Sequence, residues 1–467
     1  MKKELFRIKK LFSMATMVVA GATIAFTSSC KKKEIEKIVD HYDTVYVDTT
    51  HHNQTPITVS GEITTNTTWE DTNTYVLSGF VYVTNGATLT IKAGTVIKGD
   101  KNSKGTLIIE KGAKLMAEET ATKPIVFTSN AAKGYRNYGD WGGVILCGNA
   151  KINVAGGSAQ IEGDPRSTYG GTDDNDNSGV LKYIRIEYAG IPFQPDKEVN
   201  GLTLGGVGKG TTIDYIQVSY CGDDSFEWFG GCVNVKHIIA YKGWDDDFDT
   251  DFGFTGKLQY LVALRDKTVA DPGSKSNGFE SDNDGSGSTN TPITKPIFCN
   301  VSLFGPYKTN TESGVNANYK NLFHLRRNTS LCLYNSIANG NAFGLQIEGT
   351  AAQGNATSNI LQMENVTMTG MPTPAAFFVT AFDGTYFLDA TRHNDTIHKF
   401  SSLMIADAYA ASPNFLPLTG SPALGSASFT NSNLSDPFFT VETFRGAFGT
   451  TDWTSGWANW DPQNTNY

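Results

Sequence analysis

The sequence predicts an all-β chain wound as a right-handed parallel β-helix, a solenoid with an irregular C-terminal cap. Three observations carry this. From about residue 57 the chain is a succession of short β-type runs broken by Gly, Asn and Asp, such as ATLTIKAGTVIKG (87–99), KPIVFTS (123–129) and GVILCGNAKINV (143–154). Runs of this kind between turn formers read as strands. Helical periodicity is weak across the same region. Finally, the chain repeats itself. Writing TIDYIQVSYCGDDSFEWFGG (212–231) above KHIIAYKGWDDDFDTDFGF (236–254) puts Asp223 over Asp245, Asp224 over Asp246, Ser225 over Asp247, Phe226 over Phe248 and Glu227 over Asp249, always at an offset of 22 residues. That is the size of one rung of a parallel β-helix. A propeller blade needs about 40–45 residues and fits worse.

The elements follow in chain order. Residues 1–29 read as a secretory signal: Lys2, Lys3, Arg7, Lys9 and Lys10 precede the apolar stretch LFSMATMVVAGATIAFT (11–27), and small residues follow. The segment is short for a stable membrane span. The cysteine behind it, Cys30, resembles that of a lipobox, which implies diacylation and anchorage to a membrane. KKKEIEK after Cys30 resembles the surface-export signal of Bacteroidota lipoproteins. Residues 30–55 are polar and aperiodic, as a stalk would be. DTV, DTT and, later, DTI resemble the O-glycosylation motif of the same bacteria. Residues 56–430 supply the β-helix. Residues 431–467 break the pattern, and Trp453, Trp457 and Trp460 are expected to cover the open end, because terminal rungs need a cap.

The formal net charge is −9. Loss of the signal removes five positive charges and one negative, leaving about −13. An acidic chain with no basic run beyond Lys31–Lys33 argues against a nucleic-acid partner. Behind Cys30 stand five cysteines, Cys147, Cys221, Cys232, Cys299 and Cys332, an odd number whose spacings fit neither a zinc site nor a redox motif. Most read as buried small apolar residues, with Cys221 and Cys232 near enough in sequence to pair.

The chemistry is concentrated in GWDDDFDTDFG (243–253), where Asp245, Asp246, Asp247, Asp249 and Asp251 are interleaved with Trp244, Phe248 and Phe252. Stacking this on the previous rung sets Asp223 and Asp224 beneath it. Like charges about 5 Å apart repel by roughly 3 kcal/mol per pair at an effective dielectric near 20. Protonation, backbone N–H donors or a bound cation must offset that. Clustered carboxylates on turns suit Ca²⁺, which takes six to eight oxygen ligands. The predicted metal ligands are therefore Asp223, Asp224, Asp245, Asp246, Asp247, Asp249 and Asp251, while Asx turns at rung corners are the plainer reading of the single acids. Glu280 and Asp282 in SNGFESDNDG extend the cluster, and with Trp228 and Trp244 they are the predicted ligand contacts, a polysaccharide being the expected ligand. Phe226, Phe248 and Phe279 read as a stacked core ladder.

Among parallel β-helices, GDDSF is similar to a polygalacturonase aspartate pair, but that family's Gly-His-Gly and Arg-Ile-Lys are missing. HLRRN (324–328) offers His324, Arg326 and Arg327, either as bases for a Ca²⁺-dependent lyase or as surface ion pairs. A wider resemblance rests on GDDSFEWFGG, GWDDDFDTDFGF, SNGFESDNDG, HLRRN and RGAFG…W…GW…DPQNT. These strings resemble a group of outer-membrane lipoproteins of Bacteroidota and spirochaetes. The resemblance implies a pectin-lyase-like β-helix, a lipid anchor on Cys30 and an outer-membrane, cell-surface address, and it implies no particular reaction. The expected role is a binding or structural β-helix. The alternatives are a Ca²⁺-dependent polysaccharide lyase or hydrolase and an accessory lipoprotein of an outer-membrane transporter.

Overall fold

A computed structural model describes residues 55–194 and 197–467. The signal segment, Cys30 and the stalk up to residue 54 lie outside the described residues. The fold is a parallel β-helix: 23 strands form one sheet that winds around a single core. Successive rungs pair in parallel, so each strand must be joined to the next by a full turn of chain.

The lower rungs have three ladders. Thr67–Trp69, Thr88–Ile91 and Lys114–Glu118 stack on one another and then under the first half of Gly179–Glu187. Val96–Gly99 and Ile125–Ser129 stack beneath its second half. The third ladder rises from Thr106–Ile109 through Val144–Cys147 and Leu202–Gly205 to Phe226–Phe229, Phe248–Asp251, Phe279–Ser281, Asn321–Leu325 and Phe343–Ile347.

From Gly179–Glu187 upward, the first two ladders fuse into one long bent strand per rung. The bend is a single residue in the left-handed region: Tyr183, Tyr215, His237, Tyr260, Asn300, Asn335 and Asn365 all have φ between 48° and 65°. One residue turned this way redirects the strand, as in a β-bulge. Because the bends are stacked, Tyr183, Tyr215, His237 and Tyr260 form an outward ring ladder with centroids 4.4, 4.3 and 4.8 Å apart.

The 22-residue register is observed directly, with Phe226 paired to Phe248 and Glu227 to Asp249. Phe226, Phe248 and Phe279 are at most 1% exposed and form the expected inward column. Four of the five cysteines in the described region are buried, and all five are free, including Cys221 and Cys232.

The C-terminal end departs from expectation. The parallel ladders stop at Asp395–Ile397, short of residue 430. The end of the core is closed by the short helices Gly349–Thr357 and Ala381–Phe387, whose Ala352, Ala356, Tyr386 and Phe387 join it. The tail instead runs back down the outside of the bent strands. Asn335 Nδ2 donates to Ser428 O at 2.9 Å, Gln217 Nε2 to Asn459 O at 2.9 Å, and Tyr467 Oη to Glu187 at 2.6 Å. Trp457 packs 5.9 Å from both Tyr183 and Tyr215, and Trp453 lies 5.2 Å from His237. These tryptophans cover the side of the solenoid rather than its end, because the outward ring ladder offers them an apolar strip to bury.

Candidate cation site

The site is built on the third ladder. In a strand successive side chains point to opposite faces, so each inward phenylalanine is followed by an outward residue. Register sets these in one column: Thr203, Glu227, Asp249, Glu280, His324 and Gln346. The turn before each strand adds a second set. Asp223 and Asp224 precede Phe226–Phe229, and Asp245 and Asp246 precede Phe248–Asp251. Close stacking of these turns depends on glycine: a Cβ on Gly190, which has φ +94°, would overlap the backbone nitrogen of Gly222.

Three groups of carboxylates result, each with one oxygen per residue and all three oxygens within 4.8 Å of one another. They are Asp223/Asp224/Asp245, Asp224/Glu227/Asp249 and Asp246/Asp249/Glu280. Side loops roof the column. Ile152, Ile161, Tyr169 and Val199 pack over Phe229, and Asp224, Glu227, Asp245 and Asp246 are at most 9% exposed. Burial therefore pushes the carboxyls of Asp223, Asp224, Glu227, Asp245 and Asp249 well above the usual range, and their negative neighbours push further. Asp246 is raised to about 7 by burial and by Glu280. Asp251 is raised to about 8 by burial and by Asp282.

The chain offsets part of this itself. Asp224 Oδ1 accepts from Asp246 N at 2.8 Å. Asp246 accepts from the backbone and side-chain nitrogens of Asn277. Asn200 Nδ2 donates to Glu227 and Ser274 Oγ to Asp245. Two carboxylate oxygens in the cluster, Asp245 Oδ1 and Asp249 Oδ1, are buried with no hydrogen-bond donor. A buried charged oxygen without a donor costs more than a lost hydrogen bond. Hard oxygens, buried and unpaired, with no nitrogen or sulfur donor among them, fit Ca²⁺.

Several predicted residues stand elsewhere. Asp247 is in none of the three groups. It forms a buried ion pair with Arg265, Nε to Oδ2 at 2.9 Å, both side chains being 2% exposed. Burial still raises its carboxyl to about 7 against the pull of that guanidinium. Asp251 also lies outside the groups and accepts from Phe252 N at 2.6 Å. Trp228, expected to touch a ligand, is fully buried and stacks on Phe226 and Phe254 at 6.1 and 5.5 Å. It points inward because it lies two residues after the inward Phe226. Trp244 stays half-buried, edge-on to Tyr138 at 6.0 Å.

HLRRN reaches the column, one rung above Glu280. His324 Nδ1 is 3.4 Å from Glu280, and its Nε2 is 2.7 Å from Glu348. Arg326 pairs with Glu280 and, at 2.9 Å, with Asp282, while Arg327 reaches Asp282 at 2.8 Å. Burial would push Glu280 up, but His324 and Arg326 outweigh it and hold the carboxyl below its ordinary value. Beside these groups a cavity of about 220 Å³ is lined by Arg326, Arg327, Asn328 and Glu348. Glu227, in the carboxylate column, and Arg265, the ion-pair partner of Asp247, are not among the residues predicted from the sequence. Glu227 was visible in the repeat, aligned on Asp249. Arg265 had no such signal.

A family model for a pectate-lyase-like β-helix domain matches residues 61–403. The chain belongs to that family. No match was found among curated proteins. Membership accounts for the winding and for the stacked columns. A shared fold carries no chemistry with it.

Proposed function

We propose that this protein is a cation-stabilised binding and structural β-helix, displayed on the outer membrane by a lipid on Cys30, with a glycan as its ligand. The observation that carries the cation is the pair of buried carboxylate oxygens without donors, on Asp245 and Asp249. Asp224, Glu227, Asp249, Asp223 and Asp245 would hold Ca²⁺. The ion would supply the positive charge that lets stacked rungs carry ionised carboxylates. Trp244, half-buried beside Asp245, and the small cavity next to Arg326 and Arg327 are the surfaces offered to a sugar. The lipid anchor and address rest on the lipobox-like cysteine and on the resemblance of the repeat strings.

The second reading is a Ca²⁺-dependent polysaccharide lyase. It is favoured by the convergence of His324 and Arg326 on the top of the acidic column. Weighing against it, both groups are engaged with Glu280, Asp282 and Glu348. A base that abstracts a proton needs free access to its substrate.

Calorimetric titration of the metal-stripped protein with Ca²⁺, followed by a polysaccharide panel with Ca²⁺ present, separates the readings. Saturable Ca²⁺ binding with glycan retention and no cleavage supports the binding module. Unsaturated sugar products would replace it with the lyase. Absence of Ca²⁺ binding would overturn the cation in both.

A further inference from the structure

We infer that the acidic column holds two divalent cations sharing Asp224 as a bridging ligand. This rests on the cation-stabilised reading above and goes beyond it in number, position and coupling.

The three carboxylate groups are not equivalent. In Asp246/Asp249/Glu280 the chain's own donors already serve two members. Asn277 donates to both oxygens of Asp246, Arg326 pairs with Glu280, and His324 stands 3.4 Å from Glu280. The other two groups are served by neutral donors alone, Asp246 N to Asp224, Ser274 Oγ to Asp245 and Asn200 Nδ2 to Glu227. Among the described residues no lysine, arginine or histidine forms an ion pair with Asp223, Asp224, Glu227, Asp245 or Asp249. Each of these two groups also contains one buried oxygen lacking any donor, Asp245 Oδ1 in the first and, in the second, Asp249 Oδ1, which is shared with Asp246/Asp249/Glu280. Two separate orphans mark two separate places for positive charge.

Asp224 belongs to both groups. It is 7% exposed, and its Oδ1 takes the Asp246 N–H, which leaves its other oxygen outside that hydrogen bond. A third feature supports the second place. Thr203 is the register neighbour below Glu227, is 1% exposed, and its hydroxyl has no partner. A hydroxyl beside Glu227 offers a further oxygen there. The donor set is all oxygen, with irregular spacing set by rung turns. That favours Ca²⁺ over Mg²⁺, which demands near-ideal octahedral geometry.

Bridging makes the two places unequal to mutation. Asp245→Asn removes a ligand from one, Asp249→Asn from the other, and Asp224→Asn from both. The test is the Ca²⁺ content of the full chain by elemental analysis after equilibrium dialysis, with terbium luminescence as a second count. The expected result is two equivalents in the wild type, one in Asp245→Asn, one in Asp249→Asn and none retained in Asp224→Asn. One equivalent in the wild type would overturn the pair and leave the single-cation reading standing. None would overturn both. Two equivalents that survive Asp224→Asn would overturn the bridge. The wild-type count needs no variant to fold, and circular dichroism of each variant separates loss of an ion from loss of the rungs.

Discussion

Two columns climb the same strands one residue apart. Inward stand Phe226, Phe248, Phe279 and Phe323, with successive centroids 5.9, 5.2 and 5.6 Å apart. Outward stand Glu227, Asp249, Glu280 and His324. The geometry that makes the first column favourable makes the second costly. Stacked rings gain dispersion and leave water, and nothing else is required of them. Stacked carboxylates repel, lose water, and need a partner from outside the column. At the top of the column the chain provides that partner as Arg326 and His324. Lower down it provides no cation, only a neutral donor, Asn200 to Glu227. A solenoid therefore copies any residue type into a line, and the line is self-supporting or dependent according to its chemistry.

The largest expected effect breaks the apolar column. Phe248→Ala, at a position with no exposure, should cost about 3–5 kcal/mol in chemical denaturation. The loss should be the same with Ca²⁺ and with chelator, since the inward column owes nothing to the ion. A comparable loss is expected where the outward side already has its own cation. Arg265→Ala leaves Asp247 buried and uncompensated and should cost about 3–5 kcal/mol. Arg265→Met combined with Asp247→Leu should recover most of it.

The acidic column is sharpened by pH. Asp246 and Asp251 have folded values of about 7 and about 8 against an ordinary 3.8. The native state then holds protons that the unfolded chain has released, so without metal stability falls as pH rises from about 4 to 8. In chelator the melting temperature should drop across this window. Ca²⁺ near a hundred times its dissociation constant should add about 2.7 kcal/mol, and it should add most at the alkaline end, where carboxylates are free to bind. A melting curve that rises with pH in chelator would mean the carboxylates are fully served by donors. The smallest effect belongs to the rim. Arg327, whose side chain is 43% exposed, should lose at most about 1 kcal/mol on change to Ala, with Ca²⁺ affinity unchanged.

Much of this is legible in the sequence. The 22-residue offset determined which residues stack on which, and so placed Asp223, Asp224, Asp245, Asp246 and Asp249 together and the phenylalanines in the core. A one-dimensional repeat converts sequence offset into spatial neighbourhood, which is why a solenoid can be read from its text. Within a strand the same logic should have sent Trp228 inward with Phe226, since residues two apart share a face. An aromatic ring beside acids suggests a ligand contact, but strand alternation overrides it.

What escaped the sequence is whatever the repeat does not encode. The left-handed bend falls on Tyr, His or Asn with no common residue type, because the rungs above and below impose it. Asp247 looks like its neighbours in GWDDDFDTDFG, yet it turns to Arg265, which lies eighteen residues on, just past the end of the next bent strand. HLRRN meets Glu280 and Asp282 only because a 44-residue rung separates Phe279 from Phe323 in place of a 22-residue one. The tail lies along the side of the solenoid because the ring ladder of Tyr183, Tyr215, His237 and Tyr260 exists only once the rungs are stacked. The periodic contacts were set by the sequence alone; the partners of Asp247, of Glu280 and of the three tail tryptophans come from loops of irregular length, and only the folded chain decides where those loops land.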